Sequence, residues 1–254
     1  PIIYAEAFNK GYRPETVVFD LPTEFSTTCY SGGNCYSPQN YDNKFRGPIS
    51  LRSALAQSLN VPAVKVLYLA GIEDALTLAK QMGLETLTNA KQYGLTLVLG
   101  GGEVRPLDMA GAYSVFAADG VKHPTTGILK IEDNDGKVLE EYQEKSYRVL
   151  PEQTARLISS VLSDNEARTP SYGTNSPLYF GDIDVAAKTG TTNDYRDTWI
   201  VGYTPNISVV AWAGNNDNRS MQKQTAGFIV APMWNEFMQK AIAKYPASNF
   251  IDPT

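Results

Sequence analysis

Lys188-Thr189-Gly190, within the sequence AAKTGTTNDYRDTW, combines residue types that could hold an anionic substrate. On an edge strand, the lysine would supply a cation and the threonine a hydroxyl group to a carboxylate lying alongside. A glycine weakens the interior of a strand, but it lets a ligand come close to the backbone. The pattern therefore predicts a groove for a carboxylate-bearing substrate. The alternative is an ordinary strand whose lysine points into water.

Ser58 and Asn60, separated by one residue, form a second candidate group. Residues two apart at the end of a helix can present a hydroxyl and a carboxamide to the same side of the following loop. A hydroxyl can relay a proton, and a carboxamide can hold a substrate amide. Serine and asparagine also commonly end helices, so the pair gains weight only together with Lys188-Thr189-Gly190, 130 residues further along the chain.

Three other patterns are better explained without catalysis. Gly100-Gly101-Gly102 lacks the lysine of a phosphate-binding loop and is expected to form a turn before a helix at Pro106. His123 is the only histidine and stands in a polar loop, and the chain has no Gly-x-Ser-x-Gly sequence of a serine hydrolase. Glu140 and Glu141 alternate across a predicted strand and are expected to face water.

The composition is that of an ordinary globular protein. The 254 residues include 43% hydrophobic and 19% charged residues, and the net charge is −5. The basic residues do not form the cluster that nucleic-acid binding requires, so no nucleic-acid partner is expected. No segment approaches the roughly 20 apolar residues of a transmembrane helix. Because the chain has neither a leader nor an initiator methionine, we expect it to begin within a longer protein.

Cys29 and Cys35 are the only cysteines, and they flank a Gly-Gly turn. A zinc site would need about four ligands, which favours a local disulfide over a metal site. Such a bond would contribute roughly 2 kcal/mol and would indicate an oxidising compartment outside the cytoplasm. Two free thiols are the alternative.

The elements expected to position these residues change in type near residue 120. The sequence predicts a helix over residues 1–11, irregular structure over 12–50 and a largely helical region over 47–120. The first expected helix of this region begins at an N-cap at Ser50, carries Leu51, Leu55 and Leu59, and stops at Asn60-Val61-Pro62. A second begins at Pro62, a third runs from 73 to 82 and ends before Gly83, and another runs from Pro106 to Gly120.

After residue 120 strands predominate. The pattern predicts a hairpin about Asn134-Asp135-Gly136, a helix over 150–163, and consecutive antiparallel strands over 183–191, 197–203 and 207–214. A final helix over 231–244 would carry Met233, Trp234, Phe237, Met238 and Ile242. This order indicates an α+β fold, in which helices pack an antiparallel sheet.

Longer segments around the two candidate groups resemble the transpeptidase domain of class A penicillin-binding proteins. The resemblance lies in the segments LRSALAQSLNVPAV, GGGEVRPLDMAGAYSVFA and KTGTTNDYRDTWIVGYTP. It extends over nearly the whole chain through YSPQNYDNKFRGPISLR and VAPMWNEFM. Ser-x-Asn and Lys-Thr-Gly are two of the three active-site elements of penicillin-binding proteins and β-lactamases. The resemblance implies a partial transpeptidase domain over 1–254, with a mainly helical subdomain over 47–120 and a sheet-containing subdomain with a C-terminal helix over 121–254.

The first element of the family, Ser-x-x-Lys, is absent from its place before Ser58. PIIYAEAFNKG matches the run that follows the lysine of that element in the family. The chain is therefore expected to start just after the catalytic lysine and to lack the first strands of the sheet. Ser220-Met221-Gln222-Lys223 has the spacing, but it follows Lys188 and lies in a polar loop, so it is interpreted as a chance match. The nucleophile is expected in a missing N-terminal segment or in another chain.

The resemblance implies a peptidoglycan D,D-transpeptidase that cross-links stem peptides through a serine acyl-enzyme and is inhibited by β-lactam antibiotics. Ser58 would pass a proton, Asn60 would hold the acyl-side amide of the substrate, and Lys188 would hydrogen-bond Ser58. The implied substrate-binding residues are Thr189, Gly190, Thr191 and Thr192, of which Thr189 and Thr191 would bind the terminal carboxylate and Thr191 N–H would form half of the oxyanion hole. No metal or organic cofactor is implied.

The implied partners are stem peptides ending in D-Ala-D-Ala and β-lactams. The parent protein would be anchored in the bacterial cell membrane, with this domain on the extracytoplasmic face and a glycosyltransferase domain elsewhere in the chain. Three alternatives stay open: a β-lactam-binding sensor domain, a scaffold of the same fold without catalysis, and a carboxypeptidase that uses water as the acceptor.

Overall fold

The computed structural model describes residues 1–221, 223–246 and 248–254. Its helices in these ranges are α1 (Ile2–Asn9), α2 (Leu51–Ala56), α3 (Asn60–Ala70), α4 (Ile72–Met82), α5 (Ala90–Tyr93), α6 (Pro106–Ala117), α7 (Glu152–Ser163), α8 (Asn165–Tyr172), α9 (Ala226–Ile229) and α10 (Ala231–Lys244). Its strands are β1 (Val17–Asp20), β2 (Gly47–Ser50), β3 (Val121–Lys122), β4 (Lys130–Glu132), β5 (Val138–Glu141), β6 (Tyr147–Arg148), β7 (Ala186–Thr191), β8 (Asp197–Thr204) and β9 (Ile207–Gly214).

A three-stranded antiparallel sheet with the order β7-β8-β9 forms the centre of the fold. The prediction of three consecutive antiparallel strands is confirmed, and β7 lies at the edge of this sheet, where a substrate groove beside Lys188 would need it. Short connections between the strands leave antiparallel pairing as the accessible arrangement. The mixture of helices and antiparallel strands confirms the α+β fold.

Helices cover both faces of this sheet. Ala186, Val201 and Tyr203 point toward α1, α6 and α7 and join one hydrophobic cluster with them. Ala187 and Ile200, which are neighbours of these residues in the strands, instead join a second cluster that contains Trp234 and Met238 of α10 and residues of α9. Successive side chains of a strand alternate between its faces, so both faces of β7 and β8 are buried, and the sheet is fixed between two helical layers.

The predicted N-cap at Ser50 is confirmed, because its side chain accepts the N–H of Ser53 and so begins α2. The predicted stop at Asn60-Val61-Pro62 is wrong. Helix α2 ends at Ala56, and Asn60 is already the first residue of α3. Pro62 lies in the first turn of α3, where a helix tolerates proline because the N–H groups of that turn have no partner within the helix.

Several further predictions are confirmed. Helix α4 ends at Gly83, which has a left-handed backbone with φ of 109°. Helix α6 runs from Pro106 and is followed by Gly120, strands β4 and β5 form the hairpin about Gly136, and helices α1, α7 and α10 occur where expected.

Other parts of the chain differ from the prediction. The region over 12–50 is not wholly irregular, because it contains β1 and β2, which pair antiparallel. Helix α8, with Pro170 inside it, was not foreseen. The five apolar residues named for α10 do not share one environment, since Trp234, Met238 and Ile242 are buried, whereas Met233 and Phe237 are each 58% exposed.

Cys29 and Cys35 form the predicted disulfide bond, in a loop between β1 and β2. Within the described residues, none of the helices is both long enough and apolar enough to cross a membrane.

Candidate active site

A cavity of about 600 Å³ lies at the open edge of β7. It is bounded by the start of α1, by the turn between α2 and α3, by β7, and by the segment around 97–104 that leads to α6. All seven site residues proposed from the sequence line it: Ser58, Asn60, Lys188, Thr189, Gly190, Thr191 and Thr192. The fold therefore brings together two groups that are far apart in the chain.

Lys188 and Ser58 are in direct contact within this cavity. Lys188 Nζ donates a hydrogen bond to Ser58 Oγ at 2.6 Å and another to the backbone oxygen of Thr189 at 2.7 Å. Lys188 pairs with Val201 across the sheet, so its side chain lies on the face that α1, α6 and α7 cover. A cation and a hydroxyl at this separation can pass a proton between them.

Burial lowers the pKa of Lys188 below its ordinary value of 10.5, because the ammonium group loses part of its hydration on entering the protein. The Coulomb interaction with Tyr172 acts in the opposite direction and is the smaller effect. A lysine with a lowered pKa exchanges protons more readily near neutral pH than an exposed lysine does.

Ser58 has an unusual backbone conformation, with φ of 59°. This left-handed region costs a non-glycine residue of the order of 1 kcal/mol, and such residues are concentrated at functional sites. Here the conformation lies in the turn between α2 and α3, which the N–H of Leu59 closes on the backbone oxygen of Ala54 at 3.0 Å. It directs the hydroxyl of Ser58 to Lys188 instead of continuing the helix.

Asn60 occupies the first position of α3, next to Ser58 in the cavity wall. Its Nδ2 donates to the backbone oxygen of Gln39 at 2.7 Å, and its backbone N–H donates to Asn40 Oδ1 at 2.9 Å. The orientation of its carboxamide is therefore set by Gln39, which precedes it by 21 residues.

Thr189 and Thr191 reach the cavity from the other side of the strand. Thr189 Oγ1 shares a hydrogen bond of 2.7 Å with the hydroxyl of Tyr172, at the end of α8. Thr191 Oγ1 accepts the N–H of Ala226 at 3.1 Å, at the start of α9. Because Thr191 Oγ1 acts as an acceptor here, its own proton is available for another partner.

The hydroxyl of Thr192 is used within the turn that follows β7. Thr192 Oγ1 accepts the N–H of Asp197 at 2.8 Å, and the backbone N–H of Thr192 donates to the oxygen of Asp197 at 3.0 Å. Two consecutive residues in this turn, Asp194 and Tyr195, have left-handed backbones with φ of 58° and 56°. Thr192 thus shapes the end of the cavity through the turn.

Gly190 keeps the strand accessible at its centre. A Cβ added there would meet Cβ of Trp199 at 3.5 Å, which is ordinary contact, so the fold itself does not require glycine. The predicted reason for this glycine, close approach of a ligand to the strand, is consistent with the open space in front of it.

The residues set aside in the sequence analysis mostly lie elsewhere. His123 pairs with Glu144 at 3.1 Å, and Glu140 and Glu141 are exposed on β5. Gly100 and Gly102 do line the cavity, as part of the turn that leads to α6. The chance Ser-x-x-Lys match, Ser220 to Lys223, includes Gln222, which lies outside the described residues.

Three contributors to the site were not foreseen. Tyr172 binds Thr189, Gln39 binds the side chain of Asn60, and Asn40 binds its backbone. No motif in the sequence marks these residues, because each acts through a contact distant in the chain. The segment YSPQNYDNKFRG, which carries part of the family resemblance, is the signal that could have indicated Gln39 and Asn40.

Comparison with known proteins identifies the family. The family model described as "Penicillin binding protein transpeptidase domain" matches residues 1–239. Penicillin-binding protein 1A of Aquifex aeolicus is 36% identical over the whole chain, and that of Neisseria meningitidis serogroup A is 30% identical over 95% of it. The chain spans about a third of these relatives, 34% and 30% of their lengths.

Solved structures agree with the sequence comparison. The crystal structure of penicillin-binding protein 1A from Haemophilus influenzae superposes with a TM-score of 0.85 at 27% identity, covering all of this chain and 42% of that one. PonA1 of Mycobacterium tuberculosis, solved in complex with penicillin V, shares the fold with a TM-score of 0.84 at 22% identity, covering all of this chain and 70% of that one. The chain belongs to the transpeptidase domain family of class A penicillin-binding proteins.

Proposed function

We propose that this chain forms the substrate-binding walls and the proton relay of a peptidoglycan D,D-transpeptidase. The observation that carries the proposal is the 2.6 Å contact between Lys188 Nζ and Ser58 Oγ, in a cavity that Asn60 and the Thr189–Thr192 stretch also line. A strand lysine that pointed into water would account for neither the contact with Ser58 nor the shared cavity. Acyl transfer needs both a group that moves protons and a cavity that binds the substrate.

The nucleophile in this proposal is a serine of a Ser-x-x-Lys element that directly precedes Pro1, so that the serine stands four residues before Pro1. Two observations support this placement. Pro1 lines the same cavity as Lys188 and Ser58, and α1 continues directly from Pro1. A helix that extended α1 backward would deliver residues one turn earlier to the same cleft, since one turn takes about 3.6 residues.

In the first half-reaction, the serine gives its proton to the lysine of the same Ser-x-x-Lys element, and its oxygen attacks the carbonyl carbon of the penultimate D-alanine of a stem peptide. The C–N bond to the terminal D-alanine breaks, and Ser58 delivers the proton that the departing amine requires. In the second half-reaction, an amine of another stem peptide attacks the ester, and the serine leaves with a proton. A β-lactam follows only the first half, because its own C–N bond opens and its acyl group stays on the serine.

The remaining residues would bind the substrate. Asn60 holds the amide on the acyl side, and the hydroxyls of Thr189 and Thr191 bind the terminal carboxylate near Lys188. The backbone N–H of Thr191 supplies half of the oxyanion hole, because alternate N–H groups of an edge strand point away from its partner strand. Loss of one such donor typically costs roughly 10²–10³ in rate.

The proposal places the domain outside the cytoplasm, and the disulfide between Cys29 and Cys35 supports that compartment. Since the chain spans about a third of its curated relatives, a membrane anchor and a glycosyltransferase domain belong to the remainder of the parent protein in this proposal. Its substrates are stem peptides that end in D-Ala-D-Ala.

The direct test uses the full-length protein with a fluorescent penicillin and, separately, with stem-peptide substrate. The proposal predicts a covalent penicillin adduct together with the release of D-alanine and formation of cross-linked product. Covalent labelling without any turnover of the stem peptide would identify a β-lactam sensor instead. Absence of labelling would leave only a scaffold of the same fold, and release of D-alanine without cross-linking would identify a carboxypeptidase.

A further inference from the structure

Asn40 lies behind the cavity wall and is almost completely buried, with 2% of its surface exposed. Its Oδ1 accepts the backbone N–H of Asn60 at 2.9 Å and that of Val61 at 3.3 Å. Asn40 therefore contacts the first two residues of α3, although it belongs to a loop 20 residues earlier.

This contact supplies a cap that α3 cannot provide for itself. The first N–H groups of a helix have no partner within the helix, and a side-chain oxygen at the N-cap normally accepts one of them. The N-cap residue of α3 is Leu59, whose side chain makes no such bond. The oxygen of Asn40 takes this role from another segment, and it thereby fixes where α3 begins.

A buried carboxylate holds Asn40 in the required orientation. Asn40 Nδ2 donates to both oxygens of Asp20, at 2.9 and 2.8 Å, and to the backbone oxygen of Lys44 at 2.8 Å. Asp20 is fully buried and also accepts the N–H of Arg46 at 3.0 Å. The backbone oxygen of Lys44 can only accept, and the backbone N–H groups at the start of α3 can only donate. The amide nitrogen of Asn40 must therefore face Lys44 and Asp20, and its oxygen must face α3.

The neighbouring residue, Gln39, fixes the side chain of Asn60. The backbone oxygen of Gln39 accepts one N–H of Asn60 Nδ2 at 2.7 Å. A carboxamide has two N–H groups and one oxygen, so this bond sets its plane and leaves the second N–H and the oxygen for another partner. The dipeptide Gln39-Asn40 thus controls both the backbone and the side chain of Asn60.

We propose that the dipeptide Gln39-Asn40, anchored on Asp20, is a positioning element that sets the carboxamide of Asn60 for the acyl-side amide of the substrate. The proposal rests on the proposed function, in which Asn60 binds that amide. It differs from a purely stabilising cap, because it assigns to Asn40 an effect on which substrates react. Groups that bind a substrate must be held in place by supporting contacts to act efficiently.

The test compares acylation of the full-length protein by two β-lactams: a penicillin with an acylamido side chain, and the same nucleus with a free amine in its place. Only the first offers an amide to Asn60. Asn40→Asp keeps an acceptor for α3 but puts a second carboxylate against Asp20. Asn40→Ser shortens the side chain without adding charge. The double substitution Asp20→Asn with Asn40→Asp restores a donor and an acceptor between the two positions.

The expected result is a selective loss. Asn40→Asp and Asn40→Ser lower the acylation rate of the acylamido penicillin roughly tenfold relative to the amine, which corresponds to about one hydrogen bond. The measured ratio is the acylation rate of the acylamido penicillin divided by that of the amine. The double substitution recovers part of the loss in this ratio. In an Asn60→Ala background, the Asn40 substitutions leave the ratio unchanged, because their effect passes through Asn60. Melting temperatures of all variants are recorded, so that a fall in stability is separated from a change in ratio.

Two results would overturn the inference: equal losses for both β-lactams in every Asn40 variant that folds, or a change in ratio that persists without Asn60. Either would reduce Asn40 to a stabilising cap. The inference needs only the acylation step of the proposed function. Failure of that step gives a different signature, because the unaltered protein would then be acylated by neither compound, whereas failure of transpeptidation alone would leave both acylation rates measurable.

Discussion

Lys188 Nζ lies 2.6 Å from Ser58 Oγ, although 130 residues separate them in the chain. In the proposed function this contact carries the proton between the nucleophile and the leaving group. Lys188→Ala in the full-length protein is expected to lower the rate of penicillin acylation by roughly 10²-fold or more, as is usual for the loss of acid–base catalysis.

Stopped-flow measurement with a fluorescent penicillin checks this prediction. Lys240→Ala is a suitable control, because Lys240 is exposed on α10 and pairs with Glu236 of the same helix. Circular dichroism should show the same fold for both variants. An acylation rate of Lys188→Ala equal to that of the control would count against the role of Lys188.

The lowered pKa of Lys188 predicts a specific dependence of stability on pH. Between that pKa and the ordinary value of 10.5, the unfolded chain binds a proton at this residue that the folded chain does not. The free energy of unfolding should therefore rise with pH across this window, relative to Lys188→Met. Below this window Lys188 is protonated in both the folded and the unfolded chain, and burial of its ammonium group lowers the free energy of unfolding by the full amount.

Urea unfolding of the chain and of Lys188→Met at several pH values measures this difference directly. Subtracting the two curves removes the contribution of every other titrating group that the substitution leaves unaffected. A difference that stays flat up to pH 10.5 would show that the ammonium group of Lys188 is not perturbed by burial.

Tyr172 is expected to orient the hydroxyl of Thr189. A phenol is a stronger acid than an aliphatic alcohol, so Tyr172 is the expected donor in their 2.7 Å hydrogen bond, which leaves the proton of Thr189 for a carboxylate. Tyr172→Phe removes only this bond. It should lower the acylation rate of a penicillin roughly threefold to tenfold, whereas the rate of its methyl ester should change little.

Rates for the acid and the ester are compared in Tyr172→Phe and in a control, Tyr179→Phe, since Tyr179 is 43% exposed and is not the hydrogen-bond partner of Thr189. An equal fall in the acylation rates of the acid and the ester would mean that Tyr172 supports the fold of the cleft and does not help to bind the carboxylate.

Two glycines of the central sheet should respond in opposite ways to alanine. At Gly202, an added Cβ would meet Cζ2 of Trp234 at 2.4 Å and the backbone oxygen of Ala186 at 2.7 Å, so Gly202→Ala should destabilise the chain by about 1–3 kcal/mol. At Gly190 the fold has room for a methyl group, yet that group would project toward the cavity. Gly190→Ala should keep its stability and lose acylation.

Chemical denaturation and penicillin labelling of both variants test this contrast. If Gly190→Ala were labelled at the normal rate, the substrate would not lie against this part of β7. Full stability of Gly202→Ala would contradict the tight packing of Trp234 on the sheet.

The sequence predicted the elements that depend on local patterns. Alternating residues and short connections were enough for β7, β8 and β9, and glycine and proline marked the ends of α4 and α6. The Ser-x-Asn and Lys-Thr-Gly motifs led to the residues that line the cavity, because their family resemblance is specific.

The parts that were missed depend on contacts between distant residues. The turn at Ser58 holds a serine in a left-handed backbone conformation, which serine disfavours. Local sequence patterns therefore predicted that the helix would continue to Asn60. The bond between Asn40 and α3 compensates for a leucine at its N-cap, and no local pattern reveals such a compensation. Tyr172 likewise acts only after α8 has packed near β7.

The roles of Ser58 and Lys188 are tested most sharply by locating the residue that a penicillin acylates. The full-length protein is treated with a penicillin, digested and analysed by mass spectrometry. The proposed function predicts one adduct, on the serine four residues before Pro1, with its formation slowed by substitution of Lys188 or Ser58. An adduct on Ser58 itself, or on Ser220, would contradict the assignment of Ser58 and Lys188 as a proton relay in the wall of the cleft.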